Sequence, residues 1–182
     1  MKKRAAVILA DGFEEIEAVT AIDILRRAGI ETVVCGLKDK AVTGAHNIKM
    51  FADITLDGLR GGIDAIVLPG GLPGADNLAK SKRLADLIRE THKRGAVIAA
   101  ICASPALVLA PLGILNEKKA TCYPGMERSF GQEISFCEEK VVIDGNIITS
   151  RAPGTALAFA LAIVERLAGR ESAMAHKEST LA

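Results

Sequence analysis

The segment AVIAAICASP, at residues 96–105, contains six consecutive apolar residues, then a cysteine, then small residues and a proline. An apolar run of this length without polar alternation is typical of a strand buried on both faces of a parallel sheet. Ser104 and Pro105 are residue types that begin helices. The segment therefore predicts a buried strand that ends at Ile101 and turns directly into a helix, with Cys102 at the turn.

The same pattern recurs upstream. The run RAAVILA at 4–10 ends at Asp11-Gly12, and IDAIVL at 63–68 ends at Pro69-Gly70-Gly71. Helical patterns follow both turns, and the β-branched run at 31–36 predicts a further strand. Apolar strands that alternate with helices predict an α/β fold with a doubly wound, mostly parallel sheet and helices on both faces.

The remaining segments contain further predicted helices and several short or irregular stretches. Residues 41–56 indicate a small hairpin or an irregular excursion, and residues 82–93 and 104–110 are predicted helices. The strand-like runs near 141–149 are separated by the turn signal Asp144-Gly145-Asn146. Residues 153–167 are predicted to form the last long helix.

Composition limits the class of protein. A chain of 182 residues is long enough for one sizeable core, so we expect one domain over 1–182. Lys and Arg number 23 against 22 Asp and Glu, which argues against stable nucleic-acid binding or an anionic-membrane surface. No apolar run approaches the roughly 18 residues of a membrane span, and the N-terminal run is too short for a signal peptide. We therefore expect a cytoplasmic location.

The four cysteines carry no metal or disulfide signature, since no Cys-x-x-Cys pair and no histidine at zinc-ligand spacing occurs. Cys102 differs from the other three cysteines because its sequence context predicts a reactive thiol. Small neighbours at a strand-to-helix turn are typical of a nucleophile elbow, and a helix N-terminus favours the thiolate. The alternative is an inert core cysteine in an alanine-rich strand.

Glu17 is the second candidate. In the first predicted helix it shares a face with Ala21, Ile24 and Ala28, where a carboxylate would be desolvated and kept protonated. The alternative is a glutamate near the helix start that extends into solvent, as we expect of Glu14 and Glu15.

Other candidate groups lie at the same sheet edge. Pro69-Gly70-Gly71 offers backbone amides that can form an oxyanion hole with the amide of Ala103, although a plain glycine turn is the common alternative. None of the three histidines is an obvious partner for Cys102, and each is expected at the surface: His46, His92 and His176.

Four motifs in order carry a family resemblance: VILADGFEEIE at 7–17, VLPGG at 67–71, AAICA at 99–103 and SRAPGT at 150–155. Together they resemble the ThiJ/PfpI superfamily, most closely its Parkinson disease protein 7 (protein deglycase) branch. The match extends from the first strand to the last helix. The resemblance implies a flavodoxin-like sandwich, usually homodimeric, that needs no cofactor and no metal.

The resemblance also implies roles for single residues. Cys102 corresponds to the oxidisable nucleophile and Glu17 to the protonated carboxylic acid beside it. The amides of Gly71 and Ala103 correspond to oxyanion donors. Gly70 and Pro153 are further substrate-pocket candidates.

Two positions depart from the family. Tyr123 stands where the deglycase has a histidine, and His46 stands where it has an arginine of the anion-binding pocket, whereas the arginine of the first helix is retained as Arg27. Loss of the histidine argues against protease activity and leaves proton transfer to Glu17. Tyr123 is instead a candidate to hydrogen-bond a substrate oxygen.

The leading hypothesis is an enzyme of glyoxalase or deglycase type in which the Cys102 thiolate adds to methylglyoxal or to glyoxal adducts of proteins and nucleotides. This chemistry would serve protection against carbonyl and oxidative stress. The alternative is a non-enzymatic redox sensor or chaperone, in which Cys102 is oxidised to the sulfinic acid.

Overall fold

A computed structural model describes residues 2–182, in which strands alternate with helices over most of the chain. The strands are β1 (Arg4–Leu9), β2 (Glu31–Gly36), β3 (Ala41–Thr43), β4 (Lys49–Phe51), β5 (Ile54–Thr55), β6 (Ala65–Leu68), β7 (Val97–Ile101), β8 (Lys119–Ala120), β9 (Ser135–Phe136), β10 (Val141–Asp144) and β11 (Ile147–Ser150). The helices are α1 (Glu15–Arg27), α2 (Gly74–Ala79), α3 (Lys82–Lys93), α4 (Ala156–Ala168) and α5 (Arg170–Ser179). None of these helices is both long and apolar enough to cross a membrane.

Seven strands form the main sheet in the order β10-β11-β7-β6-β1-β2-β5. Every neighbouring pair is parallel except β10 and β11, which form an antiparallel hairpin at one edge. Strands β3 and β4 form a separate antiparallel hairpin, and β8 pairs with β9. The predicted doubly wound, mostly parallel sheet is confirmed.

Side-chain alternation along β1 divides the core into two layers. Val7 belongs to a buried cluster with Leu25 of α1 and Phe159 of α4. Ile8 points to the opposite face and belongs to a cluster that contains Leu84 of α3. Because successive residues of a strand face opposite sides, one apolar run supplies both layers.

The helices differ from prediction in three places. The predicted helix at 104–110 is a five-residue π-helical turn, Pro105–Leu109. The last long helix begins at Ala156, after a 3₁₀ turn, and ends where Gly169 adopts a φ of 92°. Helix α5 follows and was not predicted, since its sequence is polar and Ala173 is its one residue in the buried class.

The carboxyl ends of β1, β6 and β7 lie side by side, and their loops are joined by hydrogen bonds. The Glu14 amide donates to the Gly70 carbonyl (2.9 Å), and the buried Ser104 hydroxyl donates to the Pro69 carbonyl (2.6 Å). Ligands of open parallel sheets bind at this edge. The fold therefore brings the three loops that contain the predicted site residues into contact.

Candidate functional site

Cys102 follows β7 directly and adopts a φ of 64°, in the left-handed region. For a residue other than glycine this conformation costs about 1–2 kcal/mol. Two hydrogen bonds hold it, since the Cys102 amide donates to the Ser150 carbonyl (2.9 Å) and its carbonyl accepts from the Tyr123 amide (2.8 Å). The structure thus places Cys102 at a sharp elbow, as its sequence context predicts.

Gly70 lies against the cysteine side chain. A Cβ atom at this position would be 2.6 Å from the Cys102 Cβ and 3.0 Å from its Sγ, both closer than van der Waals contact allows. Glycine is therefore required for the β6 loop to approach the thiol. Gly70 forms the base of the site rather than part of its open wall.

Glu17 reaches the thiol from α1. Its side chain has no exposed surface, so the interpretation that it extends into solvent is wrong. Oε2 accepts a hydrogen bond from the Gly70 amide at 2.7 Å, whereas the buried Oε1 has no geometric hydrogen-bond partner within residues 2–182. Desolvation raises the pKa of Glu17 to about 7, although the Gly70 amide lowers it. At neutral pH the carboxyl is therefore divided between its two protonation states.

The thiol and the carboxyl depend on each other. Desolvation by burial and the negative charge of Glu17 together raise the pKa of Cys102 to about 12, while the amides of Gly71 and Ala103 act in the opposite direction. This direction is opposite to the expected thiolate, because the thiol is buried and the helix after it is only five residues long. The pair consequently accommodates one negative charge rather than two, and it titrates as a unit.

A cavity of about 480 Å³ opens onto the sulfur. Its wall includes Cys102 and four of the residues predicted for the site, Gly71, Ala103, Tyr123 and Pro153. Other lining residues were not predicted for the site, and they are Glu14, Ala45, His46, Leu72 and Met126. Most of the predicted set is therefore brought together around one space.

Arg27 lies elsewhere in the chain. It is near the end of α1, about 15 Å along the helix axis from Glu17 at 1.5 Å per residue. Its guanidinium pairs with the Asp23 carboxylate at 2.6 Å on the exposed face of the helix. Within one chain Arg27 does not line the cavity.

Glu14 and Glu15 do not extend into solvent, contrary to expectation, and are 9% and 5% exposed. The Glu15 carboxylate accepts hydrogen bonds from the His46 amide (2.7 Å) and the Ile48 amide (3.4 Å), and it bonds His46 Nδ1 (2.9 Å). These bonds lower the pKa of Glu15 despite its desolvation, and the two glutamates raise that of His46. The sequence signal for this contact is weak, since 31 positions separate the partners.

His46 is exposed, as predicted, and it lies in the cavity wall at the position where the family has an arginine of its anion-binding pocket, although it was not among the predicted site residues. The donor atoms of Glu14, Glu15 and His46 lie within 4.8 Å of one another, which is compatible with a three-ligand metal site. The hydrogen bond between His46 and Glu15 accounts for this arrangement without an ion. The chemistry available at the site is therefore that of a buried thiol, a carboxyl of pKa about 7, backbone amides and one imidazole.

Relatives of this chain resemble it over almost its full length. It is 45% identical over 174 residues to "Protein dj-1beta" of Drosophila melanogaster, covering 94% of this chain and 92% of that protein. It is 34% identical over 172 residues to "Glutathione-independent glyoxalase DJR-1.2" of Caenorhabditis elegans, covering 93% and 91%. It is also 45% identical to "Protein DJ-1 homolog B" of Arabidopsis thaliana, where it spans 40% of that protein's length and 96% of its own.

Solved structures agree with these relatives. The crystal structure of Drosophila melanogaster DJ-1beta matches with a TM-score of 0.95 at 42% identity, covering 100% of this chain and 98% of that one. The structure described as "Toxoplasma gondii DJ-1, oxidized" matches with a TM-score of 0.95 at 36% identity, covering 98% of each. The model of the DJ-1/PfpI family matches residues 3–166. With its curled parallel sheet and its cysteine elbow, this chain belongs to the DJ-1/PfpI family.

Proposed function

We propose that this DJ-1-type protein is a cysteine-dependent, cofactor-free enzyme of the glyoxalase or deglycase type. Its substrates would be methylglyoxal and glyoxal adducts of proteins or nucleotides. The observation that carries the proposal is a cavity lined by Cys102, Gly71 and Ala103, with Glu17 buried beside the thiol. The relative named as a glutathione-independent glyoxalase supports it.

The site residues divide the chemistry between them. The sulfur of Cys102 adds to the aldehyde carbon while Glu17 holds the thiol proton, and the oxygen of the adduct accepts hydrogen bonds from the two amides. A proton then moves from the former aldehyde carbon to its neighbour, which converts the hemithioacetal into a thioester. Water cleaves the thioester, so that methylglyoxal leaves as lactate and the thiol is restored.

Replacement of the nucleophile tests this mechanism. We expect Cys102→Ser and Cys102→Ala to lower kcat/KM for methylglyoxal by at least about 10³-fold, because the covalent step is lost. Cys137→Ser is the matched control, since Cys137 is partly exposed and does not line the cavity. Methylglyoxal, glycated amino acids and small peptides are compared by lactate or product release. Turnover by Cys102→Ser at the parent rate would contradict the proposal.

The pH dependence follows from the single charge that the pair shares. At pH values below the Glu17 pKa of about 7 both groups are protonated, so no thiolate or basic carboxylate is present. We expect kcat/KM to rise with pH through about 7. In Glu17→Gln the buried side chain can no longer take the thiol proton, so the rate falls by about 10²-fold or more and the part of the rise that the titration of Glu17 causes is lost. An unchanged pH profile in Glu17→Gln would count against a role for Glu17.

A redox role is the second candidate, and the same amides favour it. Oxygen atoms added to Cys102 would find the Gly71 and Ala103 amides and Glu17 within reach of the sulfur. A similar structure of Toxoplasma gondii DJ-1 is described as oxidised. Dilute hydrogen peroxide should add two oxygen atoms to the parent and none to Cys102→Ala, as measured by intact-mass spectrometry. The redox role fails if the parent gains no oxygen on Cys102.

We also propose a homodimer formed through an apolar patch on α1 and the β3–β4 hairpin. Its members, Ile16, Val19, Ile48 and Phe51, are between 47% and 81% exposed. Adjacent exposed apolar side chains are typical of an interaction surface. Val19→Asp should produce monomers in sedimentation velocity, whereas Ile143→Asp, at an exposed position on β10, should not. A parent that sediments as a monomer at micromolar concentration would contradict the dimer.

A further inference from the structure

His46 and Cys102 face the same cavity from different segments of the chain. His46 lies in the tight turn between β3 and β4, and this turn wraps around the carboxylate of Glu15. The Ala45 amide donates to the Phe13 carbonyl at 2.8 Å, which fixes the turn against the start of α1. A Cβ atom on Gly44 would lie 2.2 Å from Glu15 Oε1, so this close approach requires glycine. The imidazole is therefore held in position before any substrate arrives.

The hydrogen bond to Glu15 selects the tautomer of His46. An ionised carboxylate only accepts hydrogen bonds, so the Nδ1 atom 2.9 Å from Oε2 must carry the proton. In the neutral imidazole Nε2 is then the unprotonated, basic atom. Nε2 forms no hydrogen bond within the described part of the chain, and the side chain is 69% exposed. The arrangement presents a free base at the wall of the thiol cavity.

Glu17 is poorly placed to supply this base. Its Oε2 accepts a hydrogen bond from the Gly70 amide, and its buried Oε1 is the atom that would take the thiol proton in the proposed mechanism. Tyr123 also lines the cavity, but its phenol O–H is suited to donating a hydrogen bond to a substrate oxygen rather than to removing a proton from carbon. The reaction nevertheless needs a group that removes a proton from carbon. Glu14 and His46 remain as proton acceptors in the wall that the structure describes, and His46 is the one whose side chain a hydrogen bond, from Nδ1 to Glu15, holds in place.

We propose that His46, oriented by Glu15, is the base that transfers the carbon-bound proton of the Cys102 adduct, an inference that rests on the proposed function. Nε2 takes the proton from the carbon bonded to sulfur, and the C–H electron pair forms a double bond to the neighbouring carbon, whose carbonyl becomes an enolate oxygen. The imidazolium returns the proton to that neighbouring carbon. The hydroxyl proton of the first carbon passes to the second oxygen, which leaves a thioester. One carbon is oxidised and the other reduced, so no external oxidant is needed.

The charged groups around His46 determine the sign of its pH effect. Glu15 (2.9 Å) and Glu14 (3.7 Å) face it from α1, and Cys102 and Tyr123 face it across the cavity. Both glutamates raise the pKa of His46 above its ordinary 6.5. The base form therefore appears as pH rises through this higher pKa.

The first test removes the imidazole. In His46→Ala we expect kcat to fall by about 10²- to 10⁴-fold, with addition of 50 mM imidazole restoring part of the rate. The variant should still form the Cys102 adduct, so intact-mass spectrometry should show a protein that retains one methylglyoxal. His176→Ala is the matched control, since His176 bonds the Ser172 carbonyl within α5. Parent-like turnover by His46→Ala would overturn the inference while leaving the proposed function intact.

The second test changes the tautomer of His46, while it keeps the imidazole and the size of the side chain at position 15. In Glu15→Gln the amide oxygen can still accept from the His46 and Ile48 amides, but the NH₂ group then donates to Nδ1 and moves the imidazole proton to Nε2. We expect ¹⁵N NMR to show this change at His46 and kcat to fall about as far as in His46→Ala. Full activity with the inverted tautomer would overturn the inference. A parent without any Cys102-dependent turnover would overturn the proposed function as well, so the two failures are distinguishable.

Discussion

The site depends on one electrostatic constraint, which is that a buried thiol and a buried carboxyl in contact can hold only one negative charge. Burial is the largest cause that raises the pKa of both groups, to about 12 for Cys102, where the charge of Glu17 acts in the same direction, and to about 7 for Glu17, where the Gly70 amide acts in the opposite one. The backbone amides that point at the pair come from Gly70, Gly71 and Ala103. The surrounding loops therefore act mainly as a source of fixed dipoles for a charge that moves between two atoms.

The fold provides this environment through the edge of the parallel sheet. Strands β6 and β7 end side by side, and the Ser104 hydroxyl joins their loops at Pro69. Strand β11 adds the carbonyl of Ser150, which keeps the Cys102 amide occupied and leaves that of Ala103 for the sulfur. The elbow is stable because tertiary hydrogen bonds fix a backbone conformation that local preference disfavours.

Much of the fold was predictable because apolar runs determine buried strands whatever surrounds them. The elbow at Cys102 and the burial of Glu17 were predictable for a similar reason. Small residues surround the cysteine, and Glu17 shares a helix face with apolar residues. Helix α5 was not, because a polar helix with one residue in the buried class carries no apolar stripe. The burial of Glu15 and the position of His46 depend on a contact between α1 and a distant hairpin, and the raised thiol pKa depends on desolvation. None of these three features follows from the spacing of residues in the sequence.

The left-handed backbone of Cys102 also limits how this site can evolve. A branched Cβ is strongly disfavoured at a φ of 64°, so threonine, valine and isoleucine are poor replacements there. A Cβ atom on Gly70 would lie 2.6 Å from the Cys102 Cβ, so no side chain fits there unless the two loops that Ser104 joins move apart. Residues without a branched Cβ, such as serine, alanine or glycine, are thus the favoured replacements in descendants of this chain that lose the thiol. The backbone conformation of the turn would therefore persist after the reactive thiol had been lost.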